Sequence, residues 1–134
     1  MKYVLLLSAG NPCRAIVAEA LCNKYITSKE PISITGAGMS NDGTINPHAI
    51  EALEEEGVDI KTLKPKMLED VMQESFDLVV TLCDHSRENC PVFPSPVSTI
   101  HMGFPVIEDD EAACKELVVK VKTKLVPIIQ NELA

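Results

Sequence analysis

The residues most able to do chemistry are SAGNPCR, at positions 8–14. An apolar run at 4–7 predicts a strand before them, and apolar residues at helical spacing over 14–25 predict a helix after them. A strand that passes through a turn of small residues into a helix places unpaired backbone N–H groups at the positive end of the helix dipole. Such a turn can bind an oxyanion.

The side chains of this loop suit a phosphate-like ligand. Gly10 and Asn11 tolerate the left-handed backbone conformations that turn N–H groups inward. Arg14 offers a planar fork of donors that can bind two oxyanion oxygens at once. The alternative is an ordinary strand-to-helix turn with a solvated arginine. The predicted anion-binding loop consists of Ser8, Ala9, Gly10, Asn11, Cys13 and Arg14.

A second candidate site lies at Cys83 and Cys90, which bracket the sequence DHSREN. A reactive thiolate with a dithiol partner is the composition of a redox relay. A disulfide across this spacing requires a pliable segment between the two cysteines. His85 between them and His101 farther along are alternative metal ligands. Because neither a paired CxxC nor an HExxH motif accompanies them, we predict no metal site and no other cofactor.

Strands and helices alternate along the sequence. Predicted strands cover residues 4–7, 31–37, 76–82 and 97–101. Predicted helices cover 14–25, 47–56 with Gly57 as C-cap, 66–73, and 110–133 with a kink or early end at Pro127. The alternation predicts one α/β domain over 1–134, a three-layer fold with a four-stranded parallel sheet flanked by helices. Ligands bind at the carboxyl ends of parallel strands, so the 8–14 loop and the 83–90 segment should share one edge.

Composition restricts the partners and the compartment. A net charge of −8 argues against nucleic acid or an anionic membrane as the main partner, because either requires a basic face. No apolar run is long enough for a membrane span. In a reducing compartment, the five cysteines of a chain that needs no disulfide framework are more often buried, catalytic or metal-bound than paired in structural disulfides. We expect a cytoplasmic monomer in which Cys22 and Cys114 are buried hydrophobic residues.

Four blocks of the sequence resemble the thioredoxin-coupled arsenate reductases, which share the fold of the low-molecular-weight tyrosine phosphatases. The blocks are LLLSAGNPCRAIVAEAL, GAGMSNDGTINPHAIEALEEEGVDI, FDLVVTLCDHSRENCPVFP and HMGF. Together they cover nearly the whole chain. The third block is the most specific, because ordinary phosphatases of this fold lack its cysteine pair. The resemblance implies the same fold for this chain.

The resemblance also implies roles for individual residues. In the family, a cysteine at the first loop position attacks arsenate, which the loop amides and the loop arginine hold. A second cysteine attacks the adduct to release arsenite, and a third resolves it as a disulfide that thioredoxin reduces. Carried over by motif, Arg14 binds the anion, Cys83 is the second thiol and Cys90 is the third. Ser8 occupies the position of the nucleophile.

Three departures from the family bear on catalysis. Ser8 cannot form the arsenic–sulfur adduct, and no His or Lys in the loop would activate it. Pro12 removes one N–H donor from the loop. Where the family has an Asp-Pro general acid after Gly-Phe, this chain has Val106, and the nearest acids are displaced to 108–110. Ser8 is either natural divergence or an engineered substitution, and Cys13 is a hypothetical substitute nucleophile.

The leading hypothesis is an arsenate-reductase-like protein. It binds arsenate or phosphate at 8–14 and carries Cys83 and Cys90 as a redox pair for a thioredoxin-like reductant, with turnover blocked by Ser8. One alternative is a non-catalytic protein that binds oxyanions or arsenite, with Cys13, Cys83 and Cys90 as soft ligands. The other is a low-molecular-weight tyrosine phosphatase, which the cysteine pair disfavours and which Ser8 would disable equally.

Overall fold

Four strands alternate with helices in the order that the sequence predicts. The computed structural model describes residues 2–8, 13–26, 31–38, 47–58, 67–71, 74–82, 97–103 and 111–132. The elements are β1 (Lys2–Ser8), α1 (Cys13–Tyr25), β2 (Ile32–Gly38), α2 (Pro47–Glu55), α3 (Leu68–Val71), β3 (Leu78–Thr81), β4 (Thr99–His101), α4 (Glu111–Lys120), a π-helical turn (Val121–Leu125) and α5 (Val126–Glu132). No helix in these ranges is long and apolar enough to span a bilayer.

The four strands form one parallel sheet in the order β2-β1-β3-β4. The prediction of a four-stranded parallel sheet flanked by helices is confirmed. β1 is an inner strand, and its continuous apolar sequence is typical of a parallel strand covered on both faces. Leu7 pairs with Thr81, which pairs in turn with His101. Ser8 pairs with Gly38. All four carboxyl ends therefore lie at one edge of the sheet.

β1 separates two hydrophobic clusters, because its side chains point alternately to the two faces of the sheet. Val4 and Leu6 pack with α1, α2, α4 and α5 in the larger cluster. Leu5 and Leu7 pack with α3 in the smaller cluster. All of these β1 side chains are 0% exposed, and burial of each contributes roughly 1.5–3 kcal/mol. β1 is thus fixed from both sides, which gives its last residue, Ser8, a defined position.

The C-terminal helix continues through Pro127, so the alternative that Pro127 ends it early is wrong. The π-helical turn ends two residues before the proline, and the N–H of Val126 donates to the carbonyl of Val121. Proline lacks an N–H and crowds the carbonyl four residues earlier in an α-helix. A turn that holds one extra residue shifts the hydrogen-bond ladder and relieves this conflict. The segments on both sides of the turn still bury apolar side chains in the larger cluster.

α1 packs very close to β2 at Gly36. A Cβ added at Gly36 would lie 2.5 Å from the carbonyl oxygen of Ala15 and 2.8 Å from its carbonyl carbon. Both are helix backbone atoms, which cannot move without the helix, so glycine is required for this approach. Ala15 follows Arg14 directly. The close contact therefore sets where the first turn of α1 lies relative to the sheet.

α2 ends at a left-handed glycine, as the sequence predicts. Gly57 has a φ of +78°, and its N–H donates to the Glu54 carbonyl at 2.9 Å. The N–H of Val58 donates to the Leu53 carbonyl at 3.0 Å. This pair of bonds is the Schellman ending of a helix, which satisfies carbonyls that would otherwise have no partner. It also fixes the backbone of Glu56, one residue before the glycine.

Glu56 is the centre of a polar cluster that joins α1, α2 and the C-terminal helix. Its carboxylate accepts a hydrogen bond from the Tyr25 hydroxyl at 2.8 Å and pairs with the Lys122 ammonium at 3.0 Å. The Lys24 ammonium donates to the main-chain carbonyl of Glu56. Both lysines approach the Tyr25 ring, at 5.4 and 5.5 Å from its centre, which is a cation–π distance. Hydrogen bonds from Lys122 and Tyr25 lower the pKa of Glu56.

Gly36→Ala should lower the free energy of unfolding by about 1–3 kcal/mol, the usual cost of forcing a methyl group into a packed region. Urea unfolding followed by circular dichroism measures the change. Thr35→Ala, at the half-buried neighbouring position of β2, is the control without added atoms and should cost less. An unchanged unfolding midpoint in Gly36→Ala would contradict the close approach of α1.

Glu56→Gln should lower Tm by about 2 °C at pH 7, because partly exposed ion pairs are weak. The folded-state pKa of Glu56 lies below its unfolded value. The carboxylate therefore stabilises the fold above the unfolded pKa and loses this contribution as pH falls through the folded pKa. The difference in Tm should shrink toward zero in acid. Glu55→Gln, at an exposed position, is the control, and a difference that stays constant with pH would rule out the charge as its cause.

Candidate functional site

β1 ends in Ser8 at the carboxyl edge of the sheet, close in sequence to the start of α1. Ser8 is fully buried. α1 begins at Cys13 and packs back against β1 and β2, so its N-terminus lies at the same edge. The residues between Ser8 and Cys13 lie outside the described residues, namely Ala9, Gly10, Asn11 and Pro12. Their part in the anion-binding loop stays a prediction.

Arg14 stands in the first turn of α1 and is almost completely buried, with 4% of its surface exposed. Its Nη1 donates a hydrogen bond to the main-chain carbonyl of Leu82 at 3.3 Å. A guanidinium that is withdrawn from water needs such partners, because burying an unpaired charge is costly. Leu82 is the residue before Cys83. The bond therefore joins the start of α1 to the start of the cysteine segment.

The backbone that accepts this bond is itself held from both sides. The Leu82 N–H donates to the Leu7 carbonyl at 2.8 Å, and the Met102 N–H donates to the Thr81 carbonyl at 2.9 Å. The side-chain atoms Thr81 Oγ1 and His101 Nδ1 lie 2.8 Å apart, at hydrogen-bond distance. The end of β3 is thus fixed between the ends of β1 and β4.

Two positively charged features lie at this edge. α1 is a 13-residue helix without an acidic residue in its first turn, and the positive end of its dipole is at the N-terminus. The Arg14 guanidinium adds a full charge there. A small anion can be bound although the chain carries a net charge of −8, because these groups act at contact range while the field of distant charges is screened.

The predicted site residues have different outcomes. Ser8 and Arg14 lie at the predicted edge, whereas Cys83 and Cys90 are outside the described residues. His101 contacts Thr81, and within the described ranges no three His, Cys, Asp or Glu side chains form a possible metal site. The sequence does not single out Leu82, because Leu82 contacts Arg14 through its main-chain carbonyl. It does not single out Thr81 either, because the contact of Thr81 with His101 depends on the register of β3 and β4. The predicted strands end at Leu82 and His101, so aligning their ends would have been wrong by one residue, since the observed partner of His101 is Thr81.

Two cysteines are buried, as the sequence predicts. Cys22 and Cys114 have 0% and 1% of their surface exposed, and both lie in the larger hydrophobic cluster. Burial raises the pKa of Cys22 to about 12. The Cys22 thiol is therefore un-ionised at neutral pH and is a poor nucleophile.

The fold and the site define a class of protein. Residues 3–102 match the family of low molecular weight phosphotyrosine protein phosphatases. The match contains the whole sheet, the start of α1 and the cysteine segment. The chain belongs to this family.

Within this class, the chain is similar to arsenate reductases. An arsenate reductase of Bacillus cereus is 37% identical over 115 residues, which are 86% of this chain and 80% of the relative. The crystal structure of an arsenate reductase from Archaeoglobus fulgidus has a TM-score of 0.73 at 25% identity, over 94% of this chain and 98% of that chain. A thioredoxin-dependent arsenate reductase of Corynebacterium glutamicum has a TM-score of 0.70 at 25% identity, over 98% of this chain and 63% of that one.

In the native protein, Cys22 and Cys114 should react with iodoacetamide at least about a hundredfold more slowly than in urea, because burial blocks access and suppresses the thiolate. Timed labelling followed by peptide mass spectrometry measures each cysteine separately. The urea-unfolded protein is the control, in which all five cysteines should be labelled. Labelling of Cys22 at equal rates in the two states would contradict its burial.

Proposed function

We propose that this protein is of the arsenate reductase type and binds arsenate or phosphate in the 8–14 loop. Cys83 and Cys90 form a thiol pair that a thioredoxin-like protein of the cytoplasm re-reduces. With Ser8 at the position of the nucleophile, the protein binds the anion but does not complete turnover. Arg14 supplies the charge of the site, and the loop is completed by Ser8, Ala9, Gly10, Asn11 and Cys13.

One contact carries the proposal. The buried Arg14 guanidinium is bonded to the carbonyl of Leu82, the residue before Cys83. An oxyanion held by Arg14 would therefore lie beside the chain that leads into Cys83. Reduction by thiols requires the oxyanion and the attacking sulfur to be held in contact. The arsenate reductases among the relatives, one of them thioredoxin-dependent, support the same substrate and reductant.

Ser8 limits what such a site can do. Conversion of arsenate to arsenite takes up two electrons, which thiols must supply. The serine oxygen can form at most an ester with arsenic, so no arsenic–sulfur adduct is available for Cys83 to attack. The hydroxyl is also un-ionised near neutral pH and is therefore a weak nucleophile. Pro12 and Val106 act in the same direction, since they remove a loop donor and the general acid of the family.

The buried serine favours a second candidate function. A fully buried hydroxyl at position 8, beside a positively charged helix start, suits retention of an anion rather than its conversion. In this alternative the protein binds oxyanions or arsenite without catalysis, and Cys13, Cys83 and Cys90 are soft ligands for trivalent arsenic. A tyrosine phosphatase activity is less favoured, because Ser8 removes the nucleophile of that reaction too.

Arsenate-dependent NADPH oxidation, with thioredoxin and thioredoxin reductase present, tests the proposal. The unaltered protein should show no rate above background. Ser8→Cys should raise the rate at least about a hundredfold, because it supplies the sulfur atom of the adduct. Adding Cys83→Ser or Cys90→Ser to Ser8→Cys should abolish multiple turnover. Ser8→Ala is the matched control without a thiol and should stay inactive.

The other outcomes separate the alternatives. Turnover by the unaltered protein, with a Cys83–Cys90 disulfide as product, would show that Ser8 is not limiting and would exclude the binding function. An inactive Ser8→Cys protein that still binds inorganic phosphate in calorimetry would instead place the block at Pro12 and the missing acid. Absence of turnover together with arsenite binding that consumes three thiols would favour the non-catalytic alternative.

A further inference from the structure

We propose that Thr81 and His101 form a positioning pair for Arg14 and act through the Leu82 carbonyl. The pair joins the ends of β3 and β4, and neither residue belongs to the predicted anion loop. The inference rests on the proposed function and deepens it, because it names what orients the arginine of the anion site.

The pair fixes the peptide unit that precedes the arginine's acceptor. Thr81 is 7% exposed, and its Oγ1 lies 2.8 Å from His101 Nδ1. The Thr81 carbonyl accepts a hydrogen bond from the Met102 N–H at 2.9 Å. Two contacts therefore reach Thr81, one to its side chain from the last residue of β4 and one to its backbone from the residue that follows β4. The bond from the Leu82 N–H to the Leu7 carbonyl, at 2.8 Å, completes the restraint from the side of β1.

β4 depends on this side-chain contact because it is short and lies at the edge of the sheet. It consists of three residues, Thr99–His101, and among the described strands it pairs only with β3. Thr99 and His101 are exposed, and a strand with so few buried contacts opens easily. A hydrogen bond at its last residue therefore decides whether the ends of β3 and β4 stay together.

The position of the Leu82 carbonyl matters because hydrogen bonds weaken steeply with distance and misalignment. At 3.3 Å, the bond from Arg14 is already long for an N–H···O bond, so a small displacement of Leu82 would break it. The guanidinium would then lose the restraint that this bond places on the orientation of its fork of donors. A charged group binds an anion best when its orientation is set in advance.

If the pair only stabilised the sheet, removing any hydroxyl from β3 or β4 would have a similar effect on the anion site. Thr99 of β4 provides this control. Thr99 also carries a hydroxyl, which donates to the Val97 carbonyl at 3.2 Å and has no connection to Leu82. Thr99→Val and Thr81→Val each remove one hydroxyl from the same pair of strands with the same change of shape. Only the change at position 81 should affect the anion site.

Amide hydrogen exchange of the full chain measures the first step. In Thr81→Val, the amide of Met102, whose acceptor is the Thr81 carbonyl, should exchange at least about tenfold faster, because the ends of β3 and β4 separate more often. The Val79 amide donates to the Ser98 carbonyl at 2.9 Å, farther from the edge, and should keep its rate. Unchanged exchange at Met102 would overturn the inference.

Calorimetric titration with inorganic phosphate measures the second step. Thr81→Val should bind phosphate about tenfold more weakly, the loss that follows when one charged hydrogen bond is misaligned. Thr81→Ser and His101→Asn, which keep a hydrogen-bonding group, should recover most of the affinity, and Thr99→Val should match the unaltered protein. Equal losses in Thr99→Val and Thr81→Val would overturn the inference, as would faster exchange with unchanged affinity.

A different result would contradict the proposed function alone. If the unaltered protein binds no phosphate, the proposed anion site is contradicted. The NMR resonances of the Arg14 guanidinium then test whether Thr81 and His101 position this side chain. Thr81→Val should shift these resonances and Thr99→Val should not. Resonances that stay in place in Thr81→Val would overturn the positioning role in that case as well.

Discussion

The need to satisfy a buried guanidinium governs the arrangement of this site. Arg14 is withdrawn from water at the start of a helix, and its Nη1 donates to the main-chain carbonyl that directly follows a neighbouring strand. That bond exists only because β1 and β3 are adjacent and in register, and because Gly36 lets α1 approach the sheet. The geometry of the site therefore depends on both the order of the strands and the packing of α1 against them. A change in either of them alters where the charge points.

The site also separates local charge from overall charge. The chain as a whole is acidic, whereas the edge that receives the strand ends has a helix N-terminus and an arginine. In the proposed function, these two groups act on a small anion at contact range, where the field of distant negative charges is screened. The buried thiols of Cys22 and Cys114 are kept apart from this chemistry by the hydrophobic cluster.

The sequence predicts features that have a local pattern and misses those that depend on register or main-chain atoms. The apolar run 4–7 and the glycine after α2 identify β1 and the helix end because each pattern has one physical cause. The edge position of Ser8 and Arg14 follows from the rule for parallel sheets. The Leu82 carbonyl is a main-chain group, so no residue type reveals it. A glycine such as Gly36 is compatible with a strand end and with a close helix contact, and the sequence does not distinguish the two. Cys83 and Cys90 stay predictions.

The π-helical turn before Pro127 keeps the C-terminal helix in phase with the core. Every fourth residue across the turn is buried, in the series Leu117, Val121, Leu125 and Ile129. In a regular α-helix a repeat of four advances about 40° around the axis at each step, since a turn holds about 3.6 residues. Such a repeat would rotate off the core within a few turns. The wider turn absorbs the excess, so the helix behaves as an α-helix with one inserted residue whose cost falls on the backbone and not on the packing.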